Sequence, residues 1–154
     1  MKVDVLGVGK LKERHWRDAA DEYLKRLRPY ATVREIEVAD VDLARGDDAA
    51  RRAEADAIER ALAEGAYVVA LDAGGRQLTS EEFAAWLERR MGAGDSHVAF
   101  VIGGSAGLDA RILRRADERL SLSAMTLPHQ LARVVLLEQV YRAFRIIRGE
   151  PYHR

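Results

Sequence analysis

The chain ends on Tyr152-His153-Arg154, three residue types suited to stacking, proton transfer and anion binding. A terminus is usually polar and uninformative. This one closes a basic segment: residues 121–154 hold five Arg and two Glu, a charge of +3 in a chain whose formal charge is zero. Glu138, Arg142 and Arg145 repeat at i, i+4 and i+7 and form the polar stripe of an otherwise apolar helix. Glu138 and Arg142 read either as a surface ion pair worth a few tenths of a kcal/mol, or as a pair whose Arg142 points at a ligand. Among the histidines, His15 reads as surface and His97 as structural. His129 lies in a first helical turn near a candidate loop, and His153 is the best candidate for moving a proton. No spacing resembles a metal site, Ser105 lacks a nucleophile-elbow context, and the absence of cysteine removes thiolate and disulfide chemistry.

Two loops are placed to hold a ligand. Gly103-Gly104-Ser105-Ala106-Gly107 follows an apolar run and permits close backbone approach. It lacks the Gly-Lys-Ser/Thr ending of a P-loop and the spacing of a dinucleotide fingerprint, and it reads alternatively as a plain βα turn. Leu122-Ser123-Ala124-Met125-Thr126-Leu127 leads to Pro128 and a helix. Its backbone groups suit an adenine edge, with Leu and Met as apolar walls; alternatively it is a simple β-to-α connection.

The elements that carry these loops alternate. Strands are expected at 1–8, 33–38, 67–71, 98–102 and 120–123, and helices at 13–27, 47–64, 79–90, 108–116 and 128–148. Residues 72–76 read as a loop. Thr79 and Glu82 carry a capping-box pattern. The order β-α-β-α-β-α-β-α-β-α implies an α/β fold, with a mostly parallel sheet flanked by helices in a single domain of 154 residues. Ligands in such sheets bind beyond the carboxyl ends of the strands, here after Leu71, Ile102 and Ser123. The last helix is apolar nearly all round, so it needs cover on nearly all sides, and a symmetric dimer is the common solution. At 48% hydrophobic and 32% charged the chain can bury a core. It has no apolar run of bilayer length, and a cytosolic enzyme fits. Residues 10–34 carry +4, residues 35–120 carry −7 and the C-terminal segment +3; basic ends around an acidic middle suggest a face for an anionic partner.

The blocks VVALDAGG, FVIGGSAGL and LSAMTLPHQLARVVLLEQVYRA, with a terminal PYHR and the opening VLGVGKLKERHW, resemble the RlmH family over essentially the whole chain. These are small SPOUT-class methyltransferases of ribosomal large-subunit RNA. The resemblance implies a SPOUT-type α/β knot with a C-terminal trefoil knot, a rarity among folds, and a homodimer. It implies S-adenosylmethionine as cofactor, bound bent within the knot. It also implies methylation of N3 of a pseudouridine in a 23S rRNA hairpin of assembled ribosomes, with RNA rather than DNA or membrane as partner. Carried over by position, the cofactor residues are Leu71, Gly103, Gly104, Leu122, Ser123, Ala124, Met125, Thr126 and Leu127. Lys10, Lys12 and Arg14 are RNA contacts by charge alone.

For that reaction the residue types assign His153 as the base for the N3 proton, directly or through water. Arg154 or Arg142 stabilises charge on the base oxygens, and Tyr152 stacks on or orients the base. Three rivals remain open: a non-catalytic ribosome-binding factor, a nicotinamide enzyme (whose fingerprint is missing after the first strand), and a SPOUT enzyme with another RNA target.

Overall fold

The computed structural model describes residues 1–41, 44 and 46–153. The elements are β1 (Lys2–Val8), α1 (Arg14–Leu27), β2 (Thr32–Val38), α2 (Asp47–Ala61), β3 (Tyr67–Gln77), α3 (Ser80–Gly92), β4 (His97–Ile102), α4 (Ala110–Arg115), β5 (Glu118–Ser121) and α5 (His129–Ile147). The strands form one sheet in the order β2-β1-β4-β3-β5, and all pairings are parallel. This is the expected α/β architecture, with β2 at one edge and β5 at the other.

The pleat sorts the core into two layers. Val3 and Val5 of β1, Val69 of β3, and Val98, Phe100 and Ile102 of β4 belong to a cluster with Leu27 of α1, Leu87 of α3 and Leu136 of α5. Leu6, Val8, Val38, Val68 and Val101 belong to a second cluster with Ala55 and Ile58 of α2 and Ile112 of α4. Helix α3 begins as the sequence indicates: Thr79 Oγ1 accepts from Glu82 N at 3.1 Å, and Glu82 Oε2 accepts from Thr79 N at 2.8 Å.

The expected loop at 72–76 is part of β3. Leu120 is paired first with Leu71 and again with Arg76, so β3 makes an excursion of a few residues and returns to the same neighbour. Gly75 makes the return possible: a Cβ there would lie 2.7 Å from the Leu120 backbone, so no side chain fits. Glu118 fixes this edge. Its Oε2 accepts from Tyr67 OH at 2.8 Å and from Trp86 Nε1 at 2.7 Å, and its Oε1 from Arg76 at 3.0 Å. One carboxylate thereby ties β3, β5 and α3 together. The short last strand accordingly lies at 118–121, ahead of the expected 120–123, because the pairing is set by Glu118 and Leu120.

Candidate active site

Leu71, Asp72 and Ala73 of β3, the loop Ser121 to Leu127, and Ala132 on the first turn of α5 line a cleft of about 180 Å³. Seven of the nine expected cofactor residues meet here: Leu71, Leu122, Ser123, Ala124, Met125, Thr126 and Leu127. The loop is shaped by its serines. Ser121 Oγ donates to the Ser123 carbonyl at 2.9 Å, and Ser123 Oγ accepts from Met125 N at 2.9 Å. That turn presents Met125 outward at 79% exposure, an apolar rim beside the cleft. Apolar walls with loop backbone between them suit an adenosine-type ligand.

Gly103 follows the end of β4, and Gly104 opens on a neighbouring cleft of about 500 Å³. Val8, Asp40, Val41, Glu54, Ser105 and His129 complete that lining. The two clefts are adjacent, since Leu127 walls the first and His129, two residues on, walls the second. Glu54 is 5% exposed; its Oε2 accepts from Val41 N at 3.2 Å, and its Oε1 has no hydrogen-bond partner among the described residues. Burial pushes this carboxyl up, the Val41 amide opposes the shift, and the Asp40 charge adds to it. His129 Nδ1 is likewise buried and unpartnered.

Burial lowers the His129 pKa below its ordinary 6.5, and the Arg133 charge adds to this against Asp40 and Glu13. The folded protein thus prefers the neutral ring. Below about pH 6.5 the unfolded chain takes up a proton that the folded state resists. The stability His129 contributes is present above that pH and is lost as pH falls through the folded pKa. Melting temperatures are expected to fall from pH 7 to pH 5, and His129→Gln is expected to flatten that fall; equal slopes in both proteins would refute the assignment.

Sequence reasoning missed Arg133, whose signal was a lone charge inside the apolar run of α5. Its side chain is 2% exposed beneath the carboxyl end of β1. Nη1 donates to Glu37 at 2.7 Å, Nη2 donates to the Gly9 carbonyl at 2.9 Å, and Glu35 stands at 3.7 Å. Gly7 makes room, because a Cβ there would lie 2.4 Å from Nη2. Glu37 also accepts from Leu11 N at 3.2 Å. That bond holds the 10–12 loop with Leu11 buried and with Lys10 and Lys12 exposed. Arg14 is exposed and pairs with Asp18 at 3.6 Å.

The tail folds back on α5 of its own chain. Arg142 pairs with Glu138 at 2.6 Å and donates from Nη1 to His153 Nδ1 at 3.1 Å. His153 Nε2 lies 2.6 Å from Glu81. Because guanidinium offers only donors, Nδ1 is the accepting nitrogen, and the ring proton sits on Nε2 facing Glu81. This partner holds the Glu81 carboxyl below its usual range. Tyr152 donates to Glu138 at 3.1 Å, meets Tyr141 edge-on at 4.9 Å, and lies under the Arg142 guanidinium at 4.7 Å. Burial, and then Glu138, push the Tyr152 phenol up to about 12, so it is a donor at neutral pH. Arg154 lies outside the described residues.

Arg142, Tyr152 and His153 are therefore one cluster, but not beside the cofactor-type cleft of the same chain. Ala132 and Arg142 are ten positions apart on α5, roughly 15 Å at the helical rise. A groove lined by Ser80, Phe83, Leu122, Val135 and Gln139 runs between them.

The chain is thus a parallel α/β sheet with a cleft walled by the β5–α5 loop and the turn of β3. A family model described as "Predicted SPOUT methyltransferase" matches residues 1–153. Among solved structures, TrmJ from Z. mobilis ZM4 superposes with a TM-score of 0.58 at 13% identity, covering 100% of this chain and 73% of that one. A probable methyltransferase from Bordetella pertussis Tohama I gives 0.57 at 14% identity, covering 92% and 93%; at such identities the likeness concerns the fold alone. Two full-length relatives are each named "Ribosomal RNA large subunit methyltransferase H". The one from Bifidobacterium animalis subsp. lactis is 52% identical over 159 residues, and that from Ruminiclostridium cellulolyticum is 46% identical over 160 residues, with 100% of both chains covered in each case. The chain belongs to the RlmH family of SPOUT methyltransferases. Among the described residues no helix is long and apolar enough to cross a membrane.

Proposed function

We propose that the chain is an S-adenosylmethionine-dependent methyltransferase of large-subunit rRNA. It methylates N3 of a pseudouridine in a 23S rRNA hairpin of assembled ribosomes in the cytoplasm, as a homodimer of single-domain protomers. The observation that carries this is the cleft where Leu71 meets the Leu122–Leu127 loop. Bound there, the cofactor supplies an electrophilic methyl group. Leu71, Leu122, Met125 and Leu127 provide apolar walls and the loop backbone provides polar groups; Gly103 and Gly104, which lie outside this lining, are carried over from the family resemblance. The C-terminal trefoil knot that the family resemblance implies belongs to the same proposal.

The protein's own task is to remove the N3 proton and hold the base. Glu81 fixes the Nε2 proton of His153, which leaves Nδ1 to accept from N3. Arg142, which now occupies Nδ1, is then released toward the base oxygens with Arg154. Tyr152 orients the base. Since the tail lies about 15 Å along α5 from its own cleft, it serves the cleft of the partner. Val134, Val135, Ile146 and Ile147 leave α5 only half covered within the chain, which supports a dimer face along this helix.

The test is methyl transfer from labelled cofactor to ribosomes from a strain lacking this protein, followed by mapping of the modified nucleotide. Label at N3 of a 23S pseudouridine is expected. Label on another nucleotide would refute the target and keep the class, and no incorporation would refute the activity.

A further inference from the structure

The geometry points to the cleft between β1 and α2 as the seat of the acceptor base, with Glu54 as a specificity-determining residue that accepts a hydrogen bond from the base's second ring N–H. This rests on the methyltransferase reading above. The cleft is about 500 Å³, opens at Gly104 and adjoins the cofactor-type cleft across Leu127-Pro128-His129. A base seated in it lies beside a methyl donor held by that loop.

The chemistry of the cleft selects for donors. Glu54 is buried, one of its oxygens is already used by Val41 N, and the other has no partner among the described residues. An unpaired buried acceptor is costly and is relieved by any ligand that brings an N–H to it. Asp40 lies in the same lining, so phosphate is disfavoured there and a neutral donor edge is favoured. Pseudouridine carries N–H groups at both N1 and N3. When N3 faces the methyl donor, N1–H remains for Glu54. Uridine presents C–H at the equivalent edge and would leave the carboxylate unpaired, which sites built on hydrogen bonds reject strongly.

The experiment compares kcat/KM on ribosomes bearing pseudouridine and on ribosomes bearing uridine at the target position, for the wild type, Glu54→Leu and Glu54→Gln. Cofactor affinity is measured by calorimetry on the same proteins. The wild type is expected to prefer pseudouridine by about 10- to 100-fold. Glu54→Leu is expected to bring the preference close to unity. Glu54→Gln keeps the shape and the bond to Val41, which takes its one carbonyl oxygen; the amide NH2 then faces the cleft and cannot accept from N1–H, so the preference is expected to fall by about tenfold or more. Cofactor affinity is expected to stay within about twofold in the Gln variant. An unchanged preference in Glu54→Gln, or no preference in the wild type, would overturn the inference while methylation itself stands. A tenfold loss of cofactor affinity in that variant would overturn it by placing the cofactor's ammonium group in the cleft. Absence of methylation by the wild type would instead remove the reading on which it rests.

Discussion

Deleting residues 152–154 is expected to lower methyl transfer by about 10³-fold or more while cofactor affinity stays within about twofold. The separation comes from geometry, because the tail is anchored at Glu81, Glu138 and Arg142, whereas the cofactor-type cleft is built from β3 and the β5–α5 loop. Single-turnover assays and calorimetry on the same protein give the two readouts. His153→Ala alone is expected to lose about 10²- to 10³-fold. If the tail serves the partner's cleft, mixing His153→Ala with Ala132→Trp, which fills the cleft, restores part of the activity in mixed dimers. Wild-type turnover after truncation would eliminate the role of the tail, and failure of the mixture to recover would eliminate the shared site.

Arg133→Met is expected to cost about 3–5 kcal/mol, because it leaves Glu37 and Glu35 facing an apolar side chain below the end of β1. For a chain of this size that is a fall of roughly 6–20 °C in Tm. Adding Glu37→Gln to Arg133→Met is expected to recover part of the loss, since the two side chains share one bond. Gly7→Val reaches the same place from the strand, driving a side chain into the guanidinium. A Tm change under about 2 °C in Arg133→Met would show that Glu37 and Glu35 find water instead.

Much of this was readable from residue pattern. The alternation of elements, the capping box at Thr79 and the clustering of Leu71 with Leu122–Leu127 follow from local propensity and from the rule that ligands sit at strand ends. Other features depend on partners far apart in the chain. Asp72 to Arg76 looks like a loop because Gly74-Gly75 is turn chemistry, and only Leu120, more than forty residues on, makes it a strand. Arg133 reads as a break in an apolar face until Glu37, Gly9 and the missing side chain of Gly7 are brought around it. Glu54 is one acid in a charged, Ala-rich helix, and its unpaired oxygen exists only once α2 packs over the end of β1. His153 was recognisable by type, but Glu81, which sets its tautomer, has no sequence signature linking it to the tail.

Helix α5 is one uninterrupted element of 19 residues. It carries Ala132 of the cofactor-type cleft near one end, Arg133 in the core, and Arg142 of the tail cluster near the other. In the proposed two-fold assembly it is a molecular ruler whose length would set the span between methyl donor and proton acceptor. One alanine inserted after Gln139 would turn the tail by about 100° and advance it by about 1.5 Å, while the cleft, the sheet and Arg133 stay in place. Spacing along this rod is thus a quantity the protein must conserve as strictly as any side chain.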